Sequence, residues 1–401
     1  MVMATRSLQL FCLIVCSLAI IKTESATDLD FYEVKKTIVK NAVSKGAVCL
    51  DGSPPAYHFE PGFGEGVENW FVQLSGGAWC TSVEACKDRS RDNKVGSTTT
   101  MGPYTFQGIY SKNQSANPDF YNWNKVLVRY CDGGAFTGDV EYVDPATNLH
   151  FRGARIFEAV MEDVLAKGLK NAKNAILAGS SAGGYPAMLY CDRFRSLLPN
   201  TPRVKCFVDA GYFIHAKNQK QARGFEDIYN TLVTLHGSAK TLPKSCTSKM
   251  KPLLCFFPES MQQNIKTPLF IAMSAFDIFQ INTTVEPHLH DVIENGTCTT
   301  SQNKAFREFR SEFLSTLPKP NNPKLRGVFI DSVNHHTSLL IRWSPENATM
   351  INNLSLPKAF GDWYFDRKYW YVIDEHDLPI SKKHEHELRK DGGQTHKEDN
   401  H

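Results

Sequence analysis

Residues 179–183 read Gly-Ser-Ser-Ala-Gly, the spacing G-x-S-x-G, and they follow directly on the apolar run 175–178. In that context the pattern has a physical meaning. A strand that turns sharply into a helix strains its central residue and lifts that side chain clear of the backbone, and glycines on both sides let strand and helix approach closely. The central position is Ser181, whose hydroxyl becomes the candidate nucleophile toward an ester carbonyl. The oxyanion formed by such an attack needs preorganised N–H donors, each worth roughly 3 kcal/mol in the transition state. Gly76 and Gly77 follow the apolar run 70–74 as a glycine-bearing loop, and Ala182 follows the nucleophile. The backbone N–H groups of Gly77, Ala78 and Ala182 are therefore the expected oxyanion hole, with Gly76 letting the loop come close.

A hydrolase built around such an elbow supplies its remaining groups in the chain order Ser, then Asp or Glu, then His, on loops at strand ends. Asp277 lies just past the run 269–273, and His336 shortly after the run 328–330. In these roles His336 takes the serine proton and returns it to the leaving alcohol, while Asp277 fixes the tautomer and stabilises the imidazolium. Spacing alone leaves rivals open. His335 is adjacent to His336, and Asp331 and Asp291 compete with Asp277 for the acid.

The elements that must position these groups are legible as short apolar runs at 70–74, 126–130, 175–178, 204–208, 269–273 and 328–330, the signature of buried parallel strands. Helical periodicity lies between several of them. Ile156, Val160 and Val164 recur four apart within 152–167, a second helix is expected after Gly184, and a third over about 304–317. Alternating strands and helices predict an α/β fold, an α/β-hydrolase-like central sheet, mainly parallel, with helices on both faces. No repeat or linker divides residues 26–373, read as a single catalytic domain. The hydrophilic stretch 374–401 holds one Leu and no aromatic from 381 onward and is expected to be a disordered tail. Its histidines, His384, His386, His396 and His401, read as solvated side chains rather than a metal site, because no closed ligand set accompanies them.

Residues 1–25 read as a signal peptide: Arg6, then an uncharged apolar stretch over 7–21 too short to span a bilayer, then small residues at Ser25 and Ala26. No other segment is apolar enough for a membrane helix. Of the 11 cysteines, Cys12 and Cys16 leave with the leader, and those at 49, 80, 86, 131, 191, 206, 246, 255 and 298 are odd in number. Spacing suggests local bridges Cys80 to Cys86, Cys191 to Cys206 and Cys246 to Cys255. Sequons at Asn113, Asn282, Asn295, Asn347 and Asn353 agree with export. With 42% hydrophobic and 22% charged residues the chain can bury a sizeable core, and a net charge of +3 is too mild to imply nucleic acid while tolerating a polyanion.

Taken together the motifs resemble the plant pectin acetylesterases, a family related to the animal Notum carboxylesterases. The resemblance is carried by CLDGSPPAYH from Cys49, QLSGGAWC from Gln73, NPDFYNWNKV from Asn117, RYCDGGAFTGD from Arg129 and GSSAGGYPAMLYCDRF from Gly179. Later segments are VKCFVDAG from Val204, TPLFIAMSAFDIFQI from Thr267, GVFIDSVNHH from Gly327 and GDWYFDR from Gly361. It implies Asp277 as the acid and His336 as the base, since His335 falls where the family usually has a small residue. It also implies a secreted, monomeric, cofactor-free and metal-free serine esterase of the cell wall that removes O-acetyl groups from pectic galacturonan. A Notum-like long-chain protein deacylase, or a catalytically weak pectin-binding wall protein, are the alternatives. Several positions depart from the family: Ser75 for Glu, Ala78 for Gly, Ser180 for Cys and Ala135 for Ser. Val333 and Thr337 replace cysteines around the histidine, and the region from Glu375 lacks the usual terminal cysteines. These losses imply a looser histidine loop and leave Cys298 as the odd thiol.

Overall fold

A computed structural model describes residues 30–92 and 94–394, so the leader expected over 1–25 lies outside the described residues, as do 395–401 with His396 and His401. Nine strands form one sheet: β1 (Lys36–Ile38), β2 (Ala56–Glu60), β3 (Asn69–Leu74), β4 (Asn124–Val128), β5 (Asn174–Ser180), β6 (Arg203–Asp209), β7 (Leu269–Ser274), β8 (Arg326–Asp331) and β9 (Tyr371–Ile373). Their order across the sheet is β9-β8-β7-β6-β5-β3-β4-β2-β1. From β9 to β4 every pairing is parallel, whereas β2 and β1 add an antiparallel edge. Five of the six apolar runs read from the sequence lie wholly in this sheet, and 126–130 overruns β4 by two residues, Arg129 and Tyr130. The strands not anticipated are short or near an edge, where a half-buried face leaves little apolar signal.

Side chains alternate between the two faces with the period of two that a strand imposes. Phe71, Ile176, Phe207, Phe270 and Phe329 point into one core, and Val72, Leu177, Val208, Ile271 and Val328 into the other. Helices cover both: α1 (Gly153–Ala166), α2 (Gly184–Leu189), α3 (Ile278–Thr284), α4 (Thr300–Thr316), α5 (Leu356–Tyr364) and α6 (Lys382–Gln394). α1 packs Ile156, Phe157, Val160 and Val164 on the valine-lined face with Phe306, Phe309 and Phe313 of α4, whereas Phe360, Trp363 and Tyr364 of α5 fill the phenylalanine-lined one. α4 starts four residues before its expected bound, because Thr299 and Gln302 form a reciprocal capping box that satisfies the first orphan amides.

The expected disordered tail is corrected over its described part. Asp374 N–H donates to Ile330 O at 2.8 Å, Ile380 bridges to Val333, and α6 follows. Ile380 is buried, Glu385 of α6, also buried, pairs with Arg342, and Arg307 pairs with Asp377. Average composition hides such contacts in a charged stretch. The three local disulfides form as expected, Cys49 bridges to Cys131, and Cys298 is the free thiol. Among the described residues no helix is long and apolar enough to cross a membrane.

Candidate active site

Each site segment leaves the C-terminal end of a parallel strand, the edge at which open α/β sheets gather their ligands. β5 ends at Ser180, one turn over Ser181–Gly183 follows, and α2 begins at Gly184. Ser181 itself adopts φ 56°, the left-handed region that disfavours any side chain, so the turn holds the strain expected of an elbow. Close approach explains the glycine before it: a Cβ on Gly179 would stand 1.9 Å from Gly183 O.

The chain brings Ser181, His336 and Asp277 together. His336 Nε2 lies 2.8 Å from Ser181 Oγ, and its Nδ1 lies 2.6 Å from Asp277 Oδ2. Asp277 is fully buried, and its second oxygen accepts from Gln280 N at 2.9 Å, so the same carboxylate caps α3 and orients the imidazole. Burial of the ring works against a charge on His336, but the Asp277 carboxylate, through its charge and hydrogen bond, and the charge of Asp209 hold the imidazole above its ordinary value. A hydroxyl facing a neutral Nε2, with Nδ1–H donated to a buried carboxylate, is a hydroxyl that can be deprotonated as it attacks.

The rivals are occupied elsewhere. His335 is buried, and its Nε2 meets both oxygens of Asp331, at 3.2 and 3.1 Å. The Asp331 carboxyl lies below its usual range: burial opposes this, and the His335 and Arg342 charges outweigh it. Asp291 sits exposed on the short helix Leu289–Glu294.

The glycine loop lies directly against the elbow, since a Cβ on Gly76 would meet Ser180 O at 2.5 Å and Ser181 Cβ at 2.7 Å. Two contacts fix its peptide planes. Arg89 donates to Gly77 O at 2.7 Å and Tyr130 OH to Ala78 O at 2.8 Å. A trans peptide aims its N–H opposite to its carbonyl, so pinning Gly77 O sets the direction of the Ala78 N–H. Among the described residues no acceptor of the chain meets the N–H of Gly77 or Ala78. Ala78 takes φ 54°, which accounts for the glycine expected there on resemblance. Gly76, Gly77, Ala78, Ser181 and His336 all line one cleft of about 740 Å³. Lys94 and Arg129 line it too, and among the described residues no carboxylate does.

Sequence reasoning missed a polar chain beneath the elbow. Tyr110 OH donates to Gln73 Oε1 at 2.7 Å, Gln73 Nε2 to Ser180 Oγ at 2.9 Å, and Ser180 Oγ to Asp209 Oδ2 at 2.7 Å. Asp209 then accepts the backbone N–H of Ser338 at 2.8 Å and of Leu339 at 3.3 Å. A glutamine inside an otherwise apolar strand was the available signal, because a buried amide demands partners. Cys80, Cys86 and His236 also cluster, but both sulfurs belong to the Cys80–Cys86 bridge and offer no thiolate to a metal.

Residues 28–385 match the family model described as pectinacetylesterase. The chain is 46% identical to pectin acetylesterase 7 of Arabidopsis thaliana over 348 residues, 84% of this chain and 89% of that protein. With palmitoleoyl-protein carboxylesterase notum2 of Xenopus laevis it shares 27% over 358 residues, 85% of this chain and 68% of that one. A solved structure of the Wnt deacylase Notum from Drosophila shares the fold, with a TM-score of 0.71 at 24% identity, covering 87% of this chain and 98% of that one. The chain thus belongs to the pectinacetylesterase family and is a carboxylic ester hydrolase.

Proposed function

We propose that the protein is a secreted cell-wall esterase that hydrolyses O-acetyl esters of pectic galacturonan through an acetyl-Ser181 intermediate. The observation that carries this is the contact line from Ser181 Oγ to His336 Nε2 and from His336 Nδ1 to Asp277, opening on a cleft whose charged lining residues are Lys94 and Arg129. Ser181 Oγ attacks the acetyl carbonyl carbon while His336 Nε2 takes its proton, and the negative oxygen turns to the N–H groups of Gly77, Ala78 and Ala182. Collapse breaks the bond to the sugar oxygen, which receives the proton from His336. Water then repeats the sequence on the acetyl ester: its proton passes to His336, its oxygen bonds to the carbonyl carbon, and acetate leaves as Ser181 regains its hydrogen.

Two features support this substrate. A cleft whose lining among the described residues is cationic and not anionic attracts a polyuronate. Beside the base, Phe279 lines the cleft with its ring 6.0 Å from that of His336, and Trp79 at 5.7 Å and Phe213 at 5.8 Å pack behind it, a backed wall that favours a short acyl group. Four disulfides accord with an oxidising compartment outside the cell. The test is acetate release from acetylated pectin by the wild type and by Ser181→Ala. Loss of at least a thousandfold is expected in the variant, and equal release by both would remove Ser181 as nucleophile.

A further inference from the structure

Five cationic side chains are buried in the described residues: Lys125, Arg129, Arg152, Lys205 and Arg326. Four of them leave no buried side-chain nitrogen without a partner among the described residues. Lys125 donates to three carbonyls, of Tyr110, Ser111 and Tyr121. Arg326 donates to those of Thr267, Leu325, Gln262 and Ile265. Lys205 pairs with Asp366 and the Trp363 carbonyl, and Arg152 meets the carbonyls of Gly46, Val140 and Glu141 as well as the Glu141 carboxylate.

Arg129 differs. It is only 9% exposed, yet its guanidinium makes one hydrogen bond, from Nη2 to Lys94 O at 3.1 Å, and no carboxylate pairs with it among the described residues. Among the described residues its Nε has no partner. The Tyr104 ring flanks the group at 4.9 Å, which fixes its plane without supplying an anionic acceptor. A guanidinium withdrawn from water and left without a counter-charge is destabilising unless something negative arrives. The place where it can arrive is the cleft that Arg129 shares with Ser181.

The sheet fixes how far apart the two lie. Val128 of β4 pairs with Leu74 of β3, and Leu74 with Gly179 of β5. Arg129 and Ser181 follow Val128 and Gly179 at the same sheet edge, two strand spacings apart, about 10 Å laterally. The planar fork of a guanidinium matches a carboxylate in bidentate geometry.

We infer that Arg129 is a specificity-determining residue that binds a free uronate carboxylate of the polymer chain while a nearby acetylated sugar sits at Ser181. This rests on the pectic reading above and deepens it: the preferred substrate is acetylated galacturonan whose carboxyls are not methyl-esterified. Methylation removes the charge and one acceptor oxygen, and so removes the partner that Arg129 lacks.

The experiment compares acetate release from acetylated oligogalacturonides with free carboxyls and from the same oligomers methyl-esterified. The wild type is expected to favour the free acid by roughly tenfold to a hundredfold in kcat/KM, carried by KM, as for a hydrogen-bonded charge pair. Arg129→Gln brings that ratio close to one, and Arg129→Lys, which keeps the charge without the fork, restores it in part. A wild type indifferent to methylation, or an Arg129→Gln variant that keeps the full ratio, overturns the assignment. A measurement on the wild type alone guards against a variant that fails to fold. Unacetylated trigalacturonate should inhibit nitrophenyl acetate hydrolysis competitively, at least tenfold more tightly than its methyl ester, and equal inhibition by the two also overturns the assignment. Should the wild type hydrolyse nitrophenyl acetate yet release no acetate from either oligomer, the pectic reading itself falls and takes this inference with it.

Discussion

Replacing Asp277 by Asn separates the two duties of its carboxylate. One oxygen caps α3 through Gln280 N at 2.9 Å, and the other meets His336 Nδ1 at 2.6 Å. Asn caps a helix about as well as Asp, so the cap survives and stability should change by less than about 1 kcal/mol. The amide nitrogen then faces Nδ1 as a donor. Nδ1 must accept, the ring proton shifts to Nε2, and that is the nitrogen 2.8 Å from Ser181 Oγ. A neutral imidazole with its proton on Nε2 cannot take another from serine. The expected loss in kcat is on the order of 10⁴, or about 5 kcal/mol.

A pH profile provides a second readout. The base must be neutral to work, so the rate falls as pH drops through the His336 value, which burial lowers and the Asp277 and Asp209 carboxylates raise to a net position above the ordinary imidazole range. The acidic limb of kcat/KM in the wild type therefore lies above about 6.5. Without the Asp277 charge the residual activity of Asp277→Asn should show that limb displaced to lower pH. Nitrophenyl acetate turnover against pH, with thermal melts of both proteins, checks both statements. A variant within tenfold of the wild-type kcat, or one whose acidic limb stays in place, would refute the reasoning.

Ala78→Gly should stabilise the protein by about 1 kcal/mol, because Ala78 holds φ 54° where a Cβ is disfavoured; an unchanged or lower Tm would show that the loop carries no such strain. Asp132 predicts a pH dependence of stability of the opposite sense to ordinary acid unfolding. Burial pushes its carboxyl up to about 7, against the backbone N–H groups of Gly134 and Phe136 that its Oδ2 accepts, while Oδ1 has no partner among the described residues. A carboxyl whose folded value is raised contributes stability that is complete below its unfolded value near 3.9 and is lost as pH rises through about 7. Urea unfolding between pH 4 and 8 should therefore show a falling contribution that Asp132→Asn abolishes, and identical slopes for the two proteins would count against it.

The parts of this fold that were legible are those fixed by local period. Every run expected as a buried strand overlaps a strand, with 126–130 two residues too long, and Ser181 stands at the turn because glycine spacing and the preceding apolar run speak to one short segment. The acid and base were not legible from spacing, and the reason is geometric. Asp331 ends β8, and His335, four residues on, satisfies it, whereas Asp277 and His336 are 59 residues apart and meet only because β7 and β8 are neighbours in register. Residue order cannot say which way a loop turns once it leaves the sheet. Ser180 and Asp209 were passed over for a related reason: each ends a strand, where a polar residue is ordinary, and only the pairing Ser180↔Asp209 of β5 and β6 reveals that they share one hydrogen bond.

That pairing bears on the histidine loop, where the resemblance implied cysteines at the positions of Val333 and Thr337 and a looser loop was expected. The loop is tied by other means. Behind His336, Asp209 takes the N–H groups of Ser338 and Leu339, and ahead of it Ser274 Oγ donates to Val333 O at 2.5 Å. Asn334 is fully buried, donates through Nδ2 to Phe276 O at 2.9 Å, meets His290 Nδ1 through Oδ1 at 2.7 Å, and gives its own N–H to Ile380 O at 2.8 Å. A bond to a buried carboxylate is worth about 1.5–3 kcal/mol and leaving such a group unmet costs at least as much, so the loop has little freedom to drift. Asp209 is thus engaged twice: its carboxylate holds the loop in place, and its charge helps raise the imidazole. Ser180, one residue before the nucleophile, donates to that same carboxylate, so the strand that carries Ser181 and the loop that carries His336 share an anchor. The distance between hydroxyl and base is therefore set from below by Asp209 as well as from the side by Asp277.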